Sequence, residues 1–260
     1  MVTLKPTVGA LCLSAMLLVC TCCTSPRSRH LTPRTAPLEQ PAPLAGQDEV
    51  MLIRKSYTVS YNPTRMQPNW VAWHLTGEHT TGEVSRSVRF SEDTSVPAPR
   101  ASNADYAGSG WSRGHICPAG DNKWDSTAMA ETFMLTNICP QHPRLNNGLW
   151  NAIELDCRRW ARRYGDIYIV GGPVFLRQEH DSIGAHRIPV PEAFFKVVLC
   201  LTGKAKAIGF VCLNTGDNIR KDLYVRTVDE VERITGMDFF PTLPDTLERR
   251  VEASASLTEW

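Results

Sequence analysis

Residues 193–214, AFFKVVLCLTGKAKAIGFVCLN, constrain the fold most. Two strand-like runs close around Gly203–Lys204, the pattern of a β-hairpin. Further strands are expected at SYTVSYN, NWVAWHLTG, the run TFMLTNICPQ that ends at Pro140, and DIYIVGGPVF. Residues 91–109, with their Pro, Ser, Asp and Gly, read as an irregular loop. Helices are expected at LWNAIELDCRRWARRYG, stopped by Gly165, and at VDEVERITGMDFF, with its own glycine stop. Strands mixed with few helices and no βαβ regularity imply an α+β fold. The expectation is a mixed, mainly antiparallel central β-sheet flanked by helices.

The ends of the chain read differently. Residues 1–23 carry one charge, Lys5, and an apolar run from Val8 to Val19 that is too short to span a bilayer. This reads as a signal peptide or lipoprotein signal, with Cys20, Cys22 or Cys23 as the lipidated residue, although Val19 is not the small residue usual before such a cysteine. The expected location is therefore exported: periplasmic, tethered to the outer membrane through a lipidated cysteine, or secreted. Residues 24–50, rich in Pro, Ser, Thr and Ala, read as a flexible linker, 51–253 as the domain and 254–260 as a C-terminal tail. Without Lys5 the 28 basic residues fall to 27, matching 27 acidic ones, so an anionic partner must be held by a local patch. Composition neither names nor excludes nucleic acid. Five of the nine cysteines lie in the body: Cys117, Cys139, Cys157, Cys200 and Cys212. An odd number leaves at least one free thiol or an intermolecular bridge, and Cys117–Cys139 is a pairing to test. No Cys-x-x-Cys pair appears in the body, which argues against a structural zinc site.

The helix of residues 149–163 carries an apolar stripe of Leu149, Trp150, Ile153, Cys157 and Trp160, continued by Tyr164. Glu154 and Arg158 lie together on its flank, where an i,i+4 ion pair would contribute about 0.3–0.5 kcal/mol. Upstream, RLNNG puts carboxamides at the helix entrance, with Asn146 read as an N-cap or turn residue on local grounds. Phosphodiester cleavage needs a base near neutrality, a cation and donors for phosphate oxygens. His115, Asn146, Glu154, Arg113 and Arg158 are a chemically complete set for it: an imidazole, an oxygen anchor for Mg²⁺, a carboxylate and two guanidinium forks. Asp121, Asn122 and Lys123 read either as a substrate-positioning loop or as a plain turn.

The segments SRGHICPAGDNKW, NICPQHPRLNNGLWNAIE and IPVPEAFFKVVL, in this order, closely resemble the DNA/RNA non-specific endonucleases, a ββα-metal (His-Me finger) family that includes endonuclease G. The resemblance spans roughly residues 51–252. It implies a ββα-metal element with His115 as general base, Asn146 as the protein ligand of Mg²⁺, and Glu154 orienting water at the metal. Arg113 and Arg158 would stabilise phosphate charge, while Asn137 and Gln141 would support the geometry. The implied reaction is hydrolysis of DNA and RNA to 5′-phosphate and 3′-hydroxyl ends, with Mn²⁺ or another divalent cation able to replace Mg²⁺. Ser112 departs from the family's aspartate, which predicts weaker metal affinity or lower activity. Two alternatives stand beside this reading: a nucleic-acid-binding surface lipoprotein with weak or lost catalysis, and a periplasmic phosphodiesterase for small phosphoesters. Oligomeric state is left open, a homodimer being compatible.

Overall fold

The computed structural model describes residues 36–86, 89–217 and 220–260. The leader, 1–23, and the first part of the expected linker lie outside the described residues. Strands β1 (Val50–Ile53), β2 (Thr58–Asn62) and β3 (Gln67–Thr76) form an antiparallel meander. The short helix α1 (Asn103–Tyr106) precedes a hairpin of β4 (Ser112–His115) and β5 (Ile138–Gln141), between which runs α2 (Ser126–Thr132). Next come α3 (Pro143–Leu145), α4 (Asn151–Tyr164) and β6 (Asp166–Val174). A small ribbon of β7 (Ser182–Ile183) and β8 (Ile188–Pro189) leads to β9 (Ala193–Cys200) and β10 (Lys206–Leu213). The chain ends with β11 (Val225–Arg226), α5 (Val228–Thr235) and α6 (Asp245–Glu252).

The central sheet has seven strands in the order β1-β2-β3-β6-β9-β10-β11. Every pairing in it is antiparallel, so the expected mixed character is not found. The hairpin of residues 193–213 supplies two adjacent strands, in register from Ala193–Leu213 to Cys200–Lys206. Both of its faces are covered, which is why β9 reads as an almost unbroken apolar run. Phe194, Val198 and Cys200 enter the core shared with Ile153, Cys157 and Trp160 of α4. Phe195, Val197 and Leu199 enter the opposite core with Val228, Val231 and Val251 of α5 and α6.

Local chemistry sets the helix limits. α4 ends at Gly165, whose φ of 93° lies in the region that favours glycine. α2 starts at Asp125, whose carboxylate accepts the amides of Thr127 and Ala128 at 2.8 and 2.9 Å. That cap takes up the residues before the expected strand at TFMLTNICPQ, leaving only Ile138–Gln141 extended.

Both expected end segments are corrected where they are described. Pro41 is buried, Leu38 and Leu44 pack on the α5–α6 core, and the Ala42 amide donates to Asp238 at 2.9 Å. The linker reading missed this because prolines and isolated leucines gain burial only from a surface built elsewhere. At the other end Trp260 packs on Trp160 at 4.5 Å between ring centroids, so residues 254–260 are not a free tail.

All five body cysteines are buried free thiols, and the Cys117–Cys139 pairing is not formed. Burial pushes the Cys117 and Cys139 thiols well above the ordinary value, which suppresses the reactive thiolate. In native protein these five thiols are expected to resist a thiol reagent, and all five to react after denaturation without reductant. Peptide mapping that finds only three reactive body cysteines would establish a disulfide instead.

Candidate active site

Ser112, Arg113 and His115 lie on β4, opposite Gln141, Pro140 and Ile138 of β5. Asn137 shapes the turn that follows His115. Its Oδ1 accepts the Cys117 amide, and its Nδ2 donates to the carbonyls of Cys117 and Thr132, all at 2.9 Å. This carboxamide is used up inside the protein, in keeping with a supporting role.

On the helix side, a π-type turn of Asn146–Trp150 separates α3 from α4, and Gly148 (φ −104°, ψ −105°) breaks the regular helix there. Asn146 is not the N-cap of α4: its φ/ψ of −57°/−49° is helical and its amide donates to the His142 carbonyl at 2.9 Å. The widened turn offsets Asn146 from the spiral of α4 and leaves its side chain facing the hairpin. Trp150, fully buried, then ties helix to hairpin by donating from Nε1 to the His115 carbonyl at 3.2 Å.

Between hairpin and helix lies a cleft of about 430 Å³ lined by His115, Asn146, Glu154 and Arg158, together with Arg86 and Gly120. Four expected residues therefore meet in one place. Ser112, Arg113, Asn137 and Gln141 do not line it. Arg113 stacks over Tyr106 and Phe90 at 5.3 and 5.5 Å and donates to the Asn103 carbonyl at 2.9 Å. The cleft's second arginine is Arg86, from a loop that no motif marks.

His115 is 7% exposed and wedged between Phe133 and Phe90, with centroids at 4.8 and 5.3 Å. Its Nε2 is buried with no hydrogen-bond partner. Burial, reinforced by the charge of Arg86, pulls its pKa down to about 3, so the ring is neutral at physiological pH. A neutral imidazole has one ring nitrogen able to accept a proton.

Arg158 does not pair with Glu154 as its spacing suggests. It donates to Asp121 Oδ1 at 2.8 Å, and Asp121 Oδ2 accepts Trp73 Nε1 at 3.1 Å. Gly120 makes this approach available: a Cβ there would stand 2.7 Å from the Arg158 guanidinium. Of the segment 121–123, Asp121 is buried and anchors the arginine. Glu154 is left without a hydrogen bond or ion pair among the described residues. Burial pushes its carboxyl up to about 7 against the pull of Lys196 and Arg158. Asn146 likewise spends no side-chain atom on a described residue. An uncommitted carboxamide and carboxylate in one cleft are the oxygen donors that a hard divalent cation takes together with water.

A hairpin carrying the histidine and a helix carrying the carboxylate, stacked on an antiparallel sheet, make this a ββα-metal fold. The DNA/RNA non-specific endonuclease family matches residues 34–246. Mitochondrial nuclease EXOG of Xenopus laevis is 37% identical over 225 residues, covering 80% of this chain and 62% of that protein. Human mitochondrial endonuclease G is 36% identical over 205 residues, 73% of this chain and 69% of its own. A solved structure of EndoG with its inhibitor EndoGI superposes with a TM-score of 0.71 at 30% identity, covering 77% of this chain and 89% of that one. The chain belongs to the DNA/RNA non-specific endonuclease family. It spans about three fifths of the length of the EXOG relatives.

Two outcomes check this geometry. Arg158→Met is expected to destabilise the protein by about 3–5 kcal/mol in denaturant unfolding, because Asp121 stays buried without its counter-ion; a loss below 1 kcal/mol would mean that the pair is not buried. In nitrogen NMR the His115 ring should stay neutral down to pH 5. Its folded pKa lies below the unfolded value of about 6.5, so this group's share of stability is present above pH ~6.5 and falls away towards pH 3.

Proposed function

We propose that the chain is a Mg²⁺-dependent, sugar-non-specific endonuclease that hydrolyses DNA and RNA to 5′-phosphate and 3′-hydroxyl ends. The observation that carries this reading is the neutral His115 in one cleft with Asn146, Glu154 and two arginines. Family membership and the EXOG and endonuclease G relatives support it.

The neutral His115 imidazole takes a proton from the attacking water as its oxygen bonds to phosphorus, and the P–O3′ bond breaks with the electron pair leaving on O3′, which then takes a proton from solvent water. Arg158, aimed by Asp121, and Arg86 neutralise the phosphate oxygens as charge builds on them. Trp150 and Asn137 hold the His115 segment in place without touching substrate. Asn146 would anchor Mg²⁺, and Glu154 would orient its water. The bound ion supplies Lewis-acid polarisation of the phosphate and charge at the leaving oxygen. Mn²⁺ suits the same oxygen donors. Arg113 contributes by fixing Phe90 against His115. The intact cleft favours catalysis over a binding-only protein.

The leader supports export with removal or lipidation of residues 1–23, and mass spectrometry of the mature N-terminus reads which.

Supercoiled plasmid and a structured RNA should be degraded with Mg²⁺ and spared with EDTA. His115→Ala should lower the rate about 10²–10⁴-fold. Retention of DNA in a gel without cleavage by the unmutated chain would overturn the proposal in favour of a binding protein. Turnover of a bis-nitrophenyl phosphate with no attack on plasmid would favour the small-phosphoester enzyme.

A further inference from the structure

On the sheet face opposite the cleft, α5 and α6 bring acidic side chains together. Asp229 and Glu232 are three apart on α5, and Glu252 is the last residue of α6. One oxygen from each of the three lies within 4.8 Å of the others. Glu252 is only 6% exposed, and its Oε1 is buried with no hydrogen-bond partner. Glu232 Oε1 accepts the Phe239 amide at 2.8 Å, which fixes that carboxylate beside the loop joining the helices. None of the three forms an ion pair among the described residues.

This placement is unfavourable for bare carboxylates on three counts. Burial removes solvation from Glu252. The C-terminal end of α6 presents carbonyl oxygens, which repel a negative charge. The groups bearing most on Glu252 are Glu232, Glu248, Asp229 and Asp238, all of its own sign, and with burial they push its carboxyl up to about 8. Nearby apolar residues, Val228, Val231 and Val251, pack both helices on the sheet and hold the acids together at the cost of their repulsion.

We infer that Asp229, Glu232 and Glu252 form a second divalent-cation site, selective for Ca²⁺, that fastens α5 to α6. Two oxygens bound to Ca²⁺ at about 2.3–2.6 Å can stand up to about 4.6–5.2 Å apart, compatible with three oxygens within 4.8 Å of one another. Mg²⁺ dehydrates reluctantly and demands near-ideal octahedral geometry, whereas Ca²⁺ tolerates the flexible geometry of three carboxylates set by two helices. Asp229 is exposed, so solvent water would complete the shell on its side. The site stands apart from the nuclease cleft, and the inference does not depend on the reaction proposed for that cleft.

The test is thermal unfolding of the purified chain in 10 mM Ca²⁺, 10 mM Mg²⁺, or EDTA at matched ionic strength. With a dissociation constant of about 10⁻⁴–10⁻³ M, Ca²⁺ should raise Tm by about 3–10 °C and Mg²⁺ by less. Asn146→Ala should keep the Ca²⁺ shift. Glu252→Gln should lose it, and so should Asp229→Asn, an exposed change that leaves the core intact. No Ca²⁺ shift in the unmutated chain, a shift that survives in either acidic variant, or one abolished by Asn146→Ala would overturn the site.

Discussion

The indole of Trp150 joins the two halves of the ββα element. It is fully buried at the start of α4, and its only polar atom donates to the main chain of His115 on the hairpin. A hydrogen bond inside a dry core is expensive to break, because the carbonyl it satisfies would be left without water. The histidine therefore cannot drift from the helix that carries Glu154 and Arg158. The π-type turn before Trp150 adds the third member, since it brings Asn146 to the same cleft that a regular helix would turn it away from.

Charge beneath the cleft follows from the same indole. Lys196, from the middle of β9, is completely buried with its ammonium 4.4 Å from the Trp150 ring and 5.0 Å from Trp73. Two aromatic faces partly replace the water that a buried ammonium loses. Its charge in turn draws the Glu154 carboxyl down, against the desolvation that raises it. Trp73 also holds Asp121, and Asp121 holds Arg158. The floor of the cleft is thus a fixed set of charges and dipoles. Such groups need no reorganisation as charge develops, which is where enzymes gain most.

Much of this was legible in the chain. The hairpin of 193–214, the stripe of α4 and the stop at Gly165 all follow from periodicity and backbone freedom, which are local properties. His115, Asn146, Glu154 and Arg158 were identified from motifs whose order and spacing match a family. Arg86 was not, because it sits in no recognisable pattern, and Asp121, though it follows the histidine motif, could not be read as the partner of Arg158, 37 residues away. Helix α2 had a readable signal in the cap Asp125, which the apolar run after it obscured.

By itself the sequence determined an α+β class, the apolar strands of the hairpin at 193–214, and the residue types that line the cleft. Only the tertiary structure decided which arginine lines the cleft and which supports the hairpin, because Arg86 and Arg113 are chemically identical until packing places them. The partner of Arg158 was decided in the same way: an i,i+4 glutamate was available, but a buried aspartate offers a stronger field and a bonded second oxygen. The end segments dock for a like reason, since 38–44 and Trp260 find apolar surface that exists only once the sheet and helices are assembled. Periodicity reports which way a residue faces, whereas burial and charge pairing depend on what the rest of the chain brings to meet it.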